Sequence, residues 1–155
     1  MRSMTGYGRA TREIDGRELT IELKSVNHRF LDLNFRMPRS FLFLEEDARK
    51  LIAAALSRGH VDVYMTYRNL RSDAKTVSLD RPLMDAYMKA LDGVEGLKDD
   101  RTLMSLARFP DVLTVTEAEE DRDALRELMR GVLSSALDQL KAMRLTEGQE
   151  MVRDV

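Results

Sequence analysis

The sequence predicts an α+β domain: a mixed, largely antiparallel sheet covered on one face by a helix, followed by a helical segment with a long terminal helix. Three observations carry that reading. Across residues 18–36, Leu19, Ile21 and Leu23, and then Leu31, Leu33 and Phe35, alternate with polar residues, the period of half-buried strands. Across residues 44–56, Leu44, Ala48, Leu51, Ile52, Ala55 and Leu56 form one apolar stripe at helical spacing. Leu125, Leu128, Met129, Val132, Leu133, Ala136, Leu137 and Leu140 repeat that spacing over a longer run.

Taken in order, residues 2–14 read as a strand interrupted by Gly6 and Gly8, and Asp15-Gly16 makes a tight turn into the second strand. A dinucleotide fingerprint would need a third glycine where Thr11 stands and a helix afterwards, so a bulge or a close backbone approach explains the two glycines better. Residues 25–30 connect the second and third strands. Pro38 ends the third strand, and a helix follows over 43–58, with Glu45, Glu46 and Asp47 at its positive end, Arg58 at its negative end and Gly59 as its cap. Residues 60–68 alternate as a fourth strand. Residues 76–79 make a short strand, and Asp80 caps a helix that has Pro82 in its first turn and ends at Gly93 and Gly96. A short helix over 102–108, an extended piece over 112–116 and a long helix from about Glu119 complete the chain. The organisation expected is an α+β domain over 1–118 and a long helix over 119–155. The apolar stripe of that helix is wider than one small domain needs, which predicts that Leu128, Val132 and Leu137 are partly exposed in one chain and covered in an oligomer.

Composition narrows the functional classes. A chain of 155 residues with 43% hydrophobic residues supports a folded core. The absence of cysteine removes disulfides, thiol catalysis and cysteine-type zinc sites, and fits a reducing cytoplasm. No apolar run approaches the ~20 residues that span a bilayer, and residues 2–6 lack the apolar core of a secretory signal. The expected location is cytoplasmic, with no membrane partner. The net charge of −2 hides an asymmetry: residues 1–71 carry +4 and residues 72–155 carry −6. The basic residues of the first part are arginine except for Lys24 and Lys50, and the planar guanidinium suits phosphate. Either a nucleic-acid surface or a solvated mixed-charge surface follows from that bias.

Strand alternation places Lys24, Asp32, Asn34, Arg36, Asp62 and Arg68 on one sheet face if Leu23, Leu33, Val61 and Val63 face the core. At the rim of that face stands His28, next to Asn27, whose residue type suits turn geometry. An imidazole titrating near neutrality can move a proton at a ribose hydroxyl or a leaving oxygen; equally, His28 can hold its loop through backbone bonds. Arg29, Lys24, Arg36 and Arg68 can grip phosphates. His60 follows a glycine and reads as structural. Of the tyrosines, Tyr64 shares the polar parity, whereas Tyr67 falls with the core set. Glu147, Glu150 and Asp154 are spaced so that a continuing helix puts them on one side, a pattern for Mg²⁺ or Mn²⁺. Against it stand a solvated acidic face and the Thr146-x-x-Gln149 capping box, which would start a new helix here.

Four segments together resemble the YicC family of bacterial proteins: Arg2-Ser3-Met4-Thr5-Gly6-Tyr7-Gly8-Arg9-Ala10; Leu23-Lys24-Ser25-Val26-Asn27-His28-Arg29-Phe30-Leu31-Asp32; Arg58-Gly59-His60-Val61-Asp62-Val63; and Glu147-Gly148-x-x-Met151-x-x-Asp154. The resemblance implies a cytoplasmic, homo-oligomeric, hexameric endoribonuclease that depends on a divalent metal, Mn or Mg, and acts on single-stranded RNA. It also implies a longer chain with an acidic C-terminal half. On that basis the candidate catalytic residues are His28 and Arg29, the candidate RNA-binding residues Lys24, Asn27, Arg36 and Arg68, and the candidate metal ligands Glu147, Glu150 and Asp154. The competing reading is a non-catalytic oligomerisation or RNA-binding module.

Overall fold

The computed structural model describes residues 6–153, with side chains described for residues 6–144. Strands β1 (Gly6–Ile14), β2 (Arg17–Val26), β3 (Leu31–Arg36) and β4 (Gly59–Asn69) form one sheet in the order β1-β2-β4-β3. The β1–β2 and β2–β4 pairings are antiparallel and β3–β4 is parallel, so the sheet is mixed and largely antiparallel. Asp15 and Gly16, both at positive φ, make the β1–β2 turn.

The helix expected over 43–58 is shorter and starts differently. A 3-10 turn over Arg39–Leu44 comes first, with Phe41 N donating to Pro38 O at 2.9 Å, and helix α1 covers Glu45–Ala55. Phe41 and Leu44 stand three apart and are both fully buried, which the three-residue repeat of a 3-10 turn accommodates. Leu56 is extended and buried, so Arg58 lies outside the helix. Gly59 is not a helix cap: it opens β4 with φ +121°, a conformation that disfavours any side chain.

Helix α2 is Arg81–Leu91, helix α3 is Leu103–Ala107 and helix α4 is Arg122–Arg153. In α4 the capping role falls to Asp121, whose carboxylate accepts from the N–H groups of Asp123 and Ala124. The helix runs unbroken past Thr146, so the Thr146-x-x-Gln149 pattern does not begin a new one. Nor is its apolar stripe left for an oligomer. Leu128, Val132 and Leu137 are 2%, 1% and 4% exposed within the single chain, because α4 lies against the inner face of β1 and β2 and joins Leu19, Ile21, Leu23, Phe41, Ile52, Val61 and Val63 in one core. Each buried leucine contributes about 2 kcal/mol through removal from water, which a helix of this length obtains only by packing.

The close approach inferred for the glycine pair is what the structure shows. A Cβ on Gly8 would overlap the carbonyl oxygen of Ala136, and one on Gly6 would stand 2.6 Å from Leu140 Cδ1. The outer edge of β1 is covered in the same way: Arg9 N donates to Gln139 Oε1 at 3.1 Å and Tyr7 N to Met143 Sδ at 3.2 Å.

By compactness the chain up to Arg71 and from Glu120 onward is one unit, and Ser72–Glu119 is another. The second unit has its own small core of Met84, Leu106 and Val112, with Tyr87 stacked on Phe109 at 4.6 Å. It also holds a two-stranded ribbon of β5 (Lys75–Leu79) and β6 (Leu113–Glu117), in which Val77 pairs with Val115 and Leu79 with Leu113.

The glycine contact sets a stability prediction. Gly8→Ala must push the backbone of α4 away from β1, and the expected cost is about 1–3 kcal/mol. Urea denaturation reads it, and a midpoint equal to that of the unchanged protein would show that β1 and α4 do not meet at backbone distance.

Candidate functional site

With one sheet face committed to the core, strand register arranges the other as a grid. Asp62 of β4 stands beside Lys24 of β2 and Asn34 of β3, and Tyr7 of β1 lies opposite Lys24. One pleat on, towards the 25–30 loop, the row is Val26, His60 and Asp32; in the other direction it is Arg9, Glu22, Tyr64 and Arg36. The shared polar face expected from alternation is therefore present, with Leu23, Val61 and Val63 buried behind it and Leu33 packed against the same core.

His60 lies at the centre of a group of polar contacts on this face. Its Nδ1 lies 2.8 Å from Asp32 Oδ2 and its Nε2 lies 3.3 Å from Asp62 Oδ1, while Asn34 Nδ2 donates to the same Asp62 oxygen at 3.2 Å. With a carboxylate at each ring nitrogen, the doubly protonated imidazolium satisfies both contacts. Its pKa is raised accordingly, above all by the Asp32 hydrogen bond, which outweighs the opposing effect of burial, and further by the charge of Asp62. In the sequence His60 reads as structural because it follows a glycine; Asp32 reaches it only through the parallel β3–β4 register. The His60-x-Asp62 spacing on one strand face was the available signal.

His28 lies in the loop between β2 and β3, its ring 6.4 Å from that of His60. Its Nδ1 is 3.0 Å from Phe30 O and 3.3 Å from Phe30 N, so it donates to the carbonyl when protonated and accepts from the N–H when not. The loop-holding role expected as an alternative thus falls to Nδ1. Asn27 and Arg29 are exposed in the same loop, and the Arg29 guanidinium stands 5.5 Å from the Phe30 ring.

Tyr64 carries a cation on each side. Lys24 Nζ is 5.6 Å and Arg36 Cζ 5.9 Å from its ring centre, and Lys24 also pairs with Glu22 at 3.4 Å. Arg68 belongs to the same face but not to this cluster: it pairs with Glu18 at 3.9 Å, eight residues along β4 from His60, or about 26 Å of strand. Tyr67, as its parity implies, turns to the core and meets Phe41 edge-on at 4.9 Å. Of the candidate metal ligands, the backbone of Glu147 and Glu150 lies within α4, but their side chains, and Asp154 altogether, fall outside the described residues. Among the described residues no group of three or more His, Asp or Glu side chains is arranged to hold a metal ion. Among them, too, no helix is long and apolar enough to cross a membrane.

Comparison with known proteins agrees with these motifs. A sequence model described as "Endoribonuclease YicC-like, N-terminal region" matches residues 1–153. The chain belongs to this family. It is 33% identical over 156 residues to "Probable endoribonuclease YicC" of Clostridioides difficile (strain 630), an alignment covering 99% of this chain and 53% of that protein. It is 26% identical over 151 residues to the protein of the same name from Haemophilus influenzae (strain ATCC 51907 / DSM 11121 / KW20 / Rd), covering 96% and 52%. This YicC-like chain thus spans about half the length of these relatives.

The carboxylate pair around His60 predicts a pH dependence. A raised folded-state pKa means that His60 stabilises the YicC-like fold fully below its ordinary value of about 6.5 and that this contribution is lost as pH rises through the raised value. Imidazole C–H resonances followed by NMR should titrate above 6.5 for His60, and Asp32→Asn should bring that midpoint down more than Asp62→Asn does. Equal midpoints in all three proteins would show that the carboxylates do not hold the ring.

Proposed function

We propose that the polar sheet face binds single-stranded RNA, as the N-terminal part of a metal-dependent endoribonuclease. The observation that carries this reading is the placement of Tyr64 between Lys24 and Arg36, one step along the sheet from the Asp32–His60–Asp62 contacts and the His28 loop. A base stacks on an aromatic ring whatever its identity, and flanking cations neutralise the phosphates on either side. In this reading Arg29 meets a phosphate at the loop, Asn27 hydrogen-bonds beside it, and Nε2 of His28 takes or returns a proton at the ribose hydroxyl or the leaving oxygen. Arg68, far along the face, adds a contact only to a longer strand. Dependence on Mn or Mg, with Glu147, Glu150 and Asp154 as ligands, belongs to the same proposal and would supply charge stabilisation at the scissile phosphate. So do action in the cytoplasm and assembly into a hexamer. Self-association rests on family membership alone, since the α4 stripe is already buried within the chain.

One observation favours the competing reading of a non-catalytic RNA-binding or oligomerisation module: both nitrogens of His60 are engaged by carboxylates, which is how a structural histidine is held. The two separate experimentally. In the full-length protein, RNA affinity measured against salt should give a log-log slope near ~−2 if Lys24, Arg29 and Arg36 each meet a phosphate, at ~0.7 per contact on single strands. Arg36→Ala should lower the slope by about one contact and weaken all sequences alike. Tyr64→Ala should weaken binding by about 1–3 kcal/mol, and Tyr64→Phe should not. Salt-independent binding would refute the sheet-face assignment. Replacing Glu147, Glu150 and Asp154 together by alanine should preserve affinity and abolish metal-dependent cleavage; cleavage at the original rate would remove the metal ligands from the proposal, and no cleavage by the unmodified protein would leave the binding module.

A further inference from the structure

Near the end of its described side chains, α4 sends one charged group into the interior. Arg144 is 6% exposed, and its Nη2 donates to Ser25 Oγ, near the end of β2. Its Nε has no hydrogen-bond partner among the described residues, and burial lowers its pKa. A buried guanidinium is costly to keep unless its N–H groups are paired, so the contacts it makes are informative. Its surroundings show what it touches. A Cβ on Gly59 would stand 2.9 Å from Arg144 Nη2, 3.4 Å from Ser25 Oγ and 3.5 Å from Val26 O, so the guanidinium uses the space that the glycine leaves open. Gly59 N in turn donates to Phe30 O at 3.0 Å, the same carbonyl that faces His28 Nδ1.

We propose that Arg144 is a positioning residue for the two histidines: from the core side of the sheet it clamps Ser25 and Gly59, the roots of the segments that carry His28 and His60. Ser25 lies three residues before His28, and Gly59 immediately precedes His60. Holding these two points fixes the loop to the start of β4 through the Gly59–Phe30 bond, and sets His60 opposite Asp32. The placement of the histidines follows from the fold alone; their use on RNA rests on the function proposed above.

The test is made on the whole protein with Ser25→Ala, Arg144→Met and Arg144→Lys, reading the imidazole titrations of both histidines by NMR and hydrogen exchange at Gly59 N–H. Loss of positioning loosens the His60–Asp32 contact, so the His60 midpoint should fall towards the ordinary value of about 6.5 and exchange at Gly59 should quicken. The sign is diagnostic, because merely deleting a nearby cation would raise a histidine pKa. Ser25→Ala changes no charge, removes only the hydroxyl that Arg144 reaches, and serves where Arg144→Met fails to fold. Arg144→Lys should recover part of the shift. Wild-type titrations and exchange in folded Ser25→Ala, or an upward shift in folded Arg144→Met, would overturn the assignment. A downward shift with RNA affinity and cleavage unchanged would uphold the clamp and overturn the functional use of the histidines.

Discussion

The backbone-level contact between β1 and α4 is the constraint on which the first unit depends. Side chains normally keep a helix well clear of a sheet, yet at Gly6 and Gly8 there is no Cβ, and Leu140 and the Ala136 carbonyl occupy that space. Closing this gap lets Leu125, Leu128, Val132, Leu133 and Leu140 complete a core that α1 alone would leave open over β1 and β2. It also supplies partners for the edge N–H groups of Tyr7 and Arg9. One sheet face is thereby sealed, and the whole polar grid is presented on the other.

The same helix ties together the two ends of the sheet. At its start, Glu120 accepts from Tyr67 Oη and Asn69 Nδ2, each at 2.9 Å, and pairs with Arg17 at 3.4 Å in a largely buried contact. Burial and the Glu120 carboxylate together push the Tyr67 phenol well above its usual range, so it remains a donor. Between the ends, Asp47 of α1 pairs with Arg126 at 3.2 Å and Arg130 at 3.6 Å. Near its far end, Arg144 reaches Ser25 beneath the histidine loop.

The candidate site shows how strand register concentrates polar chemistry on one sheet face. Each of Asp32, His60 and Asp62 is an ordinary strand residue with a polar side chain outward. Their conjunction raises the His60 pKa, and the neighbouring row brackets one tyrosine with two cations.

Much of this was legible in the sequence because it is local. Alternation of Leu19, Ile21 and Leu23 fixes which side of a strand is buried, and the three-and-four spacing of residues 125–140 specifies a helix whatever it packs on. Asp80 announced its helix start because a cap acts within one turn. What sequence reading misplaced depended on distant partners: the 3-10 start at Phe41, the role of Gly59, and the burial of Leu128, Val132 and Leu137. The parallel register that brings Asp32 to His60, and the approach of α4 that carries Arg144 to Ser25, join residues 28 and 119 apart in the chain. Periodicity determines which face a residue occupies, but only three-dimensional packing decides which residue from elsewhere in the chain stands opposite it.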